Sequence, residues 1–118
     1  MEPPTPRPAA WQTATPLPAL ISDRLEILKR LCQNFGVERL ELFGSAASES
    51  FNAATSDLDF IVWMRNEREP GYARRFCDFA ESLETLYGRK VDLLTERMIR
   101  NPIFKAEVDR TRRLLVEI

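Results

Sequence analysis

Ile21, Leu25, Leu28, Leu31, Cys32 and Phe35 recur three and four residues apart, the spacing that gathers apolar side chains into one stripe of an α-helix. Ser22 stands where an N-cap belongs and Gly36 where a left-handed C-cap belongs, so one helix is expected to run up to Phe35. From Val37 to Phe43 the period changes to two, with Leu40 and Leu42 on one side and Arg39 and Glu41 on the other, until Gly44-Ser45 breaks the strand. Residues 45–50 fit a short helical turn, and residues 51–56 have the small polar content of a loop. A second strand is expected over 57–64, followed by a charged connection over 65–70 that cannot be core. Tyr72, Phe76, Phe79, Leu83 and Leu86 mark a long amphipathic helix closed by Gly88, and Val91, Leu93 and Leu94 a short third strand. Asn101-Pro102 reads as a cap followed by proline at the first helical position, giving a helix over 102–110 with Ile103, Phe104 and Val108 inward. Residues 114–118 fit a closing strand. This order of elements predicts a small α/β (α+β) domain, a mixed β-sheet with helices packed against it.

The 118 residues suffice for about one domain. Six prolines fall within residues 1–18 among Thr, Ala and Gln, which predicts an extended tail ahead of a domain over 19–118. The remainder can bury one core but leaves no room for a separate substrate-recognition domain. With 17 basic and 18 acidic side chains the chain is near neutral, which argues against direct nucleic-acid binding as its task. No 18-residue apolar span and no signal-peptide pattern occur, so a cytoplasmic protein away from membranes is expected. Two isolated cysteines, Cys32 and Cys77, and no histidine argue against a zinc site, a disulfide framework and Ser-His or Cys-His nucleophiles. Catalysis by this chain must therefore use carboxylates and a metal, or be absent.

Asp57 and Asp59 open the second strand two residues apart, a spacing that turns both carboxylates to one face while Leu58 packs behind them. Aspartate is a poor strand former, so the pair calls for an explanation. Carboxylates that converge repel and raise each other's pKa unless a cation lies between them. An all-oxygen ligand set without His or Cys favours Mg²⁺ or Mn²⁺, and Mg²⁺ commonly completes its shell with substrate phosphates. Gly44-Ser45, at a strand-to-helix turn, offers backbone N–H groups, a hydroxyl and close backbone approach to such phosphates. With Asp92 on the third strand as general base, the set describes phosphoryl or nucleotidyl transfer. The basic residues Arg97, Arg100, Lys105, Arg110, Arg112 and Arg113 are interspersed with Glu96, Glu107 and Asp109 and are expected to form a solvated face.

Leu42-Phe43-Gly44-Ser45, Ser56-Asp57-Leu58-Asp59-Phe60 and Gly88-Arg89-Lys90-Val91-Asp92-Leu93-Leu94-Thr95-Glu96 together resemble the minimal nucleotidyltransferases of the DNA polymerase beta superfamily, over residues 37–118. The resemblance implies a polymerase-beta-like nucleotidyltransferase fold, Asp57, Asp59 and Asp92 as catalytic and metal-binding residues, and Gly44 and Ser45 on the triphosphate. It also implies ATP as donor, a helical HEPN-type toxin as protein acceptor, and an antitoxin role in a homo- or hetero-oligomer. Where the family carries Gly-Ser-x-Ala-Arg-Gly, this chain has Gly44-Ser45-Ala46-Ala47-Ser48-Glu49. Loss of that arginine removes charge-assisted bonds to phosphate, with Arg65, Arg89 and Lys90 as candidate replacements. The alternative expectation is a binding module that neutralises or scaffolds its partner without catalysis; transfer to a small molecule is disfavoured by the lack of a second domain.

Overall fold

The computed structural model describes residues 17–48 and 57–118. Residues 1–16 of the tail expected over 1–18, Glu49 and Ser50 of the turn expected over 45–50, and the loop expected over 51–56 lie outside the described residues. The elements are α1 (Ala19–Ser22), α2 (Leu25–Phe35), β1 (Val37–Phe43), a 3₁₀ turn (Gly44–Ala47), β2 (Leu58–Met64), α3 (Tyr72–Tyr87), β3 (Val91–Leu94), a second 3₁₀ turn (Glu96–Met98), α4 (Pro102–Thr111) and β4 (Arg113–Glu117). One sheet runs β3-β2-β1-β4. β1 is antiparallel to both β2 and β4, whereas β2 and β3 are parallel and joined across the sheet by α3. This is the mixed sheet with packed helices that the hydrophobic pattern implies.

Local chemistry explains most element ends. Gly36 and Gly88 both adopt left-handed backbone and close α2 and α3, a conformation that costs glycine little. Asn101 caps α4 by accepting from the Ile103 and Phe104 N–H groups at 2.8 and 3.2 Å. The expected first helix is instead two. Ser22 ends α1 and donates to the Ala19 carbonyl at 3.4 Å, while the chain breaks at Arg24 and α2 starts there without a side-chain cap. The Arg24 guanidinium donates to the Leu20 carbonyl at 3.2 Å across this corner, which lets Ile21 and Leu28 both reach the core although the helix axis is interrupted.

The two faces of the sheet carry different cores. Leu40, Leu42, Phe60 and Val62 meet Leu28 and Cys32 of α2 and Phe79 and Leu83 of α3 in the main core. Burial pushes the Cys32 thiol up to about 12, so it serves as packing rather than as a nucleophile; Cys77 is free and exposed. On the opposite face Phe43, Ile61, Ile99 and Val108 form a smaller cluster under α4, flanked by Trp63 and Leu94. Of the three residues expected inward on α4, only Val108 is; Ile103 is 83% and Phe104 40% exposed. Ile103 lies five positions from Val108, about 140° around the helix, whereas Phe104 lies about 40° away and sets its ring edge against Phe43.

Glu41 is a buried acid on the second face. It belongs to the polar side of β1 yet is buried, because β1 is a central strand and α4 covers that face. Two arginines neutralise it: Arg39 Nε at 3.0 Å and Arg112 Nε at 2.7 Å. Arg112 also holds Glu96 and Asp109, each at 2.8 Å. No helix among the described residues is long and apolar enough to cross a membrane.

Candidate active site

Parallel pairing of β2 and β3 sets Asp59 directly beside Asp92, and antiparallel pairing of β1 and β2 sets Asp59 beside Phe43, the residue before Gly44. Three segments far apart in sequence thus meet at one end of the sheet. Asp59 alternates with Ile61 and Trp63 and so projects from the α4 face. Asp57 precedes β2 and is exposed, as is Asp92, while Asp59 is half-buried.

The electrostatics are those of an acid cluster, with no basic side chain among the causes of the Asp59 shift. Asp59 is pushed up to about 7, first by burial, then by the charge of Asp92 and the hydrogen bond shared with it, then by the charge of Asp57. The adjacent Asp59 and Asp92 carboxyls mark where a cation would relieve the repulsion. Among the described residues no three Asp, Glu or Cys side chains close tightly enough to enclose an ion by themselves. Mg²⁺ asks for less, one or two carboxylates plus waters and substrate phosphates. The adjacent Asp59–Asp92 pair, with Asp57 near enough to act on Asp59, fits that demand in donor type and number.

Gly44 is required twice over. Its φ is +74°, and a Cβ there would lie 2.5 Å from Asp59 Oδ2, so the turn is pressed against the carboxylate as no other residue type allows. Its N–H donates to Thr111 Oγ1 at 2.9 Å. Ser45 follows, half-buried, in the 3₁₀ turn. Ser48, in place of the family's arginine, turns its hydroxyl back onto the Ser45 carbonyl at 3.2 Å and supplies no charge.

Of the candidate replacement cations, Arg65 follows the far end of β2, six residues and about 20 Å of strand from Asp59. Lys90 lies at the carboxylate end, where its carbonyl accepts from the Leu58 N–H at 3.2 Å; Arg89 immediately precedes it. The basic group expected as a solvated face is compensated at several points, with Lys105 on Asp109 at 2.8 Å and Arg110 on Glu107 along α4, and Arg97 of the second 3₁₀ turn on Glu67 at 2.8 Å. Thr111 is the residue that sequence reasoning missed. A threonine at a helix end that bonds the preceding turn is common, and nothing local ties it to a glycine 67 positions away.

The family model described as Nucleotidyltransferase domain matches residues 25–115, and the chain belongs to that family. A curated relative in Methanocaldococcus jannaschii, named "Putative protein adenylyltransferase MJ1379", is 31% identical over 93 residues, covering 75% of this chain and 91% of the relative. A solved structure described as a "putative minimal nucleotidyltransferase" superposes with a TM-score of 0.60 at 29% identity, over 78% of this chain and 89% of that one. A complex of tri-AMPylated Shewanella oneidensis HEPN toxin with MNT antitoxin shares the fold at a TM-score of 0.55 and 16% identity, over 82% of this chain and 72% of that one.

Proposed function

We propose that the chain is a Mg²⁺-dependent nucleotidyltransferase that moves AMP from ATP onto a hydroxyl of a partner protein, a HEPN-type toxin, and so acts as its antitoxin. One observation carries the reading: Asp59 and Asp92 lie side by side with Gly44 pressed against Asp59, and no basic side chain is among the causes of the Asp59 shift. The named relatives favour adenylyl transfer within the nucleotidyltransferase family, and the complex described as tri-AMPylated HEPN toxin with MNT antitoxin favours this class of acceptor.

In this reading Asp57, Asp59 and Asp92 would hold Mg²⁺, and the ion would supply neutralisation of the phosphate charge. Ser45 bonds the triphosphate through its hydroxyl. Asp92, exposed at the strand edge, takes the proton of the acceptor hydroxyl as its oxygen bonds to the α-phosphorus and pyrophosphate leaves with the electrons of the broken P–O bond. Residues 19–118 form the transferase domain and act in the cytoplasm.

The test is to incubate the chain with Mg²⁺, ATP and the helical protein encoded beside it, and to weigh that protein intact. One or more added adenylates, lost in Asp59→Asn, are expected; no gain on a partner shown to be bound sinks the proposal. The Ser48 hydroxyl, folded back where an arginine is usual, favours a second reading, a module that neutralises its partner by contact. In that case Asp59→Asn leaves neutralisation intact.

A further inference from the structure

Thr111 ends α4 with its side chain buried. Its Oγ1 accepts the Gly44 N–H at 2.9 Å and lies 3.1 Å from the Glu107 carbonyl and 3.3 Å from that of Val108, to one of which it donates. A hydroxyl used in both directions is fixed in orientation, and it connects the end of a helix to the glycine that lies against the Asp59 carboxylate. Its neighbour Arg112 anchors the same helix end to Glu41 on β1 at 2.7 Å, so the tether does not follow local fraying. With the Gly44 N–H engaged, no phosphate bond is available from it. Ser45 follows in a turn whose distance to Asp59 is thereby set.

We infer that Thr111 is a positioning residue of the nucleotide site: it holds Gly44 so that Ser45 meets the triphosphate while Asp59 stays in reach of the metal. The inference rests on the nucleotidyltransferase reading of the site. It adds a residue outside the three motifs that support that reading.

Thr111→Val removes the hydroxyl at nearly constant shape, and Thr111→Ser keeps it. Titrating Mg-ATP into the full chain by calorimetry, we expect Thr111→Val to weaken binding about threefold to tenfold, the worth of one hydrogen bond. Thr111→Ser should stay within about twofold of wild type. Amide exchange followed by NMR in the nucleotide-free chain should show Gly44 protected in wild type and Thr111→Ser and unprotected in Thr111→Val. A Thr111→Val protein that melts lower but binds Mg-ATP like wild type has lost only packing, and overturns the inference. If Thr111→Val does not fold, the wild type and Thr111→Ser decide: an unprotected Gly44 amide in the wild type, or weakened binding in Thr111→Ser with protection intact, overturns it. A wild-type chain that binds no Mg-ATP overturns the triphosphate reading and this role together. Binding with an unprotected Gly44 amide overturns the role alone.

Discussion

Glu41 and Asp59 face the same side of the sheet from neighbouring strands, with Glu41 opposite Ile61 and Asp59 two residues before it. Glu41 is the more deeply buried, yet Arg39 and Arg112 meet it at 3.0 and 2.7 Å, and the Trp63 ring lies between those guanidiniums at 5.4 and 6.0 Å. Asp59 is less buried and is surrounded by Asp92 and Asp57. The fold thus completes one carboxylate with cations of its own and leaves the other with further acids. A buried charge with opposite-sign partners is architecture, whereas a half-buried carboxyl raised by neighbouring acids favours an added cation, and that distinguishes the site from the scaffold.

The comparison breaks most sharply at Glu41. Glu41→Gln leaves Arg39 and Arg112 on a covered face without their shared anion and should cost about 3 kcal/mol, read as a fall in melting temperature of roughly 10–20 °C. No change in melting would show that the pair is not a structural unit. Gly44→Ala comes next, at about 2 kcal/mol, because alanine must adopt a positive φ and its Cβ must push Asp59 Oδ2 away from 2.5 Å. Chemical denaturation measures this, and a neutral result would mean that the turn is not packed on the carboxylate.

Asp59→Asn should have the opposite sign to Glu41→Gln. Removing one of the clustered like charges stabilises the metal-free chain at pH 8 by about 1 kcal/mol. The pH dependence has a definite direction. The carboxyl rises from 3.8 to about 7 in the folded chain, so the folded state holds the proton more tightly than the unfolded one. That contribution is fully present below about pH 4 and is lost as pH rises through about 7. Melting curves of wild type and Asp59→Asn should therefore diverge across that window, with the variant ahead at the alkaline end; parallel curves would remove the electrostatic contrast. Saturating Mg-ATP should reverse the order, since ligand at 100 times its Kd adds about 2.7 kcal/mol to the wild type. The smallest effect is expected at Ile103, 83% exposed on α4: Ile103→Ser should lie within about 0.5 kcal/mol of wild type by denaturation.

Much of the fold was legible because its elements have strong periods and chemical ends. The three-and-four spacing of α3, the Asn101-Pro102 start of α4 and the glycines after α2 and α3 each act within a few residues. The readings that failed depended on distant neighbours. Alternation put Glu41 on the polar side of β1 without showing that α4 buries it, and Ile103 looked inward until the orientation of α4 was set by Val108 and Thr111. Arg65 looked available to the site until the strand direction carried it to the far end.

By itself the sequence determined that two aspartates open an apolar strand, that a third stands on another, and that a Gly-Ser turn ends a strand before them. These are properties of composition and period that a chain carries locally. Only the tertiary structure decided that β3 pairs in parallel with β2 so that Asp92 meets Asp59, that Gly44 closes on Asp59 Oδ2, and that Thr111 holds that glycine from 67 residues away. Register between strands and contact between segments depend on how all the apolar faces are buried at once. No short stretch of sequence contains that information.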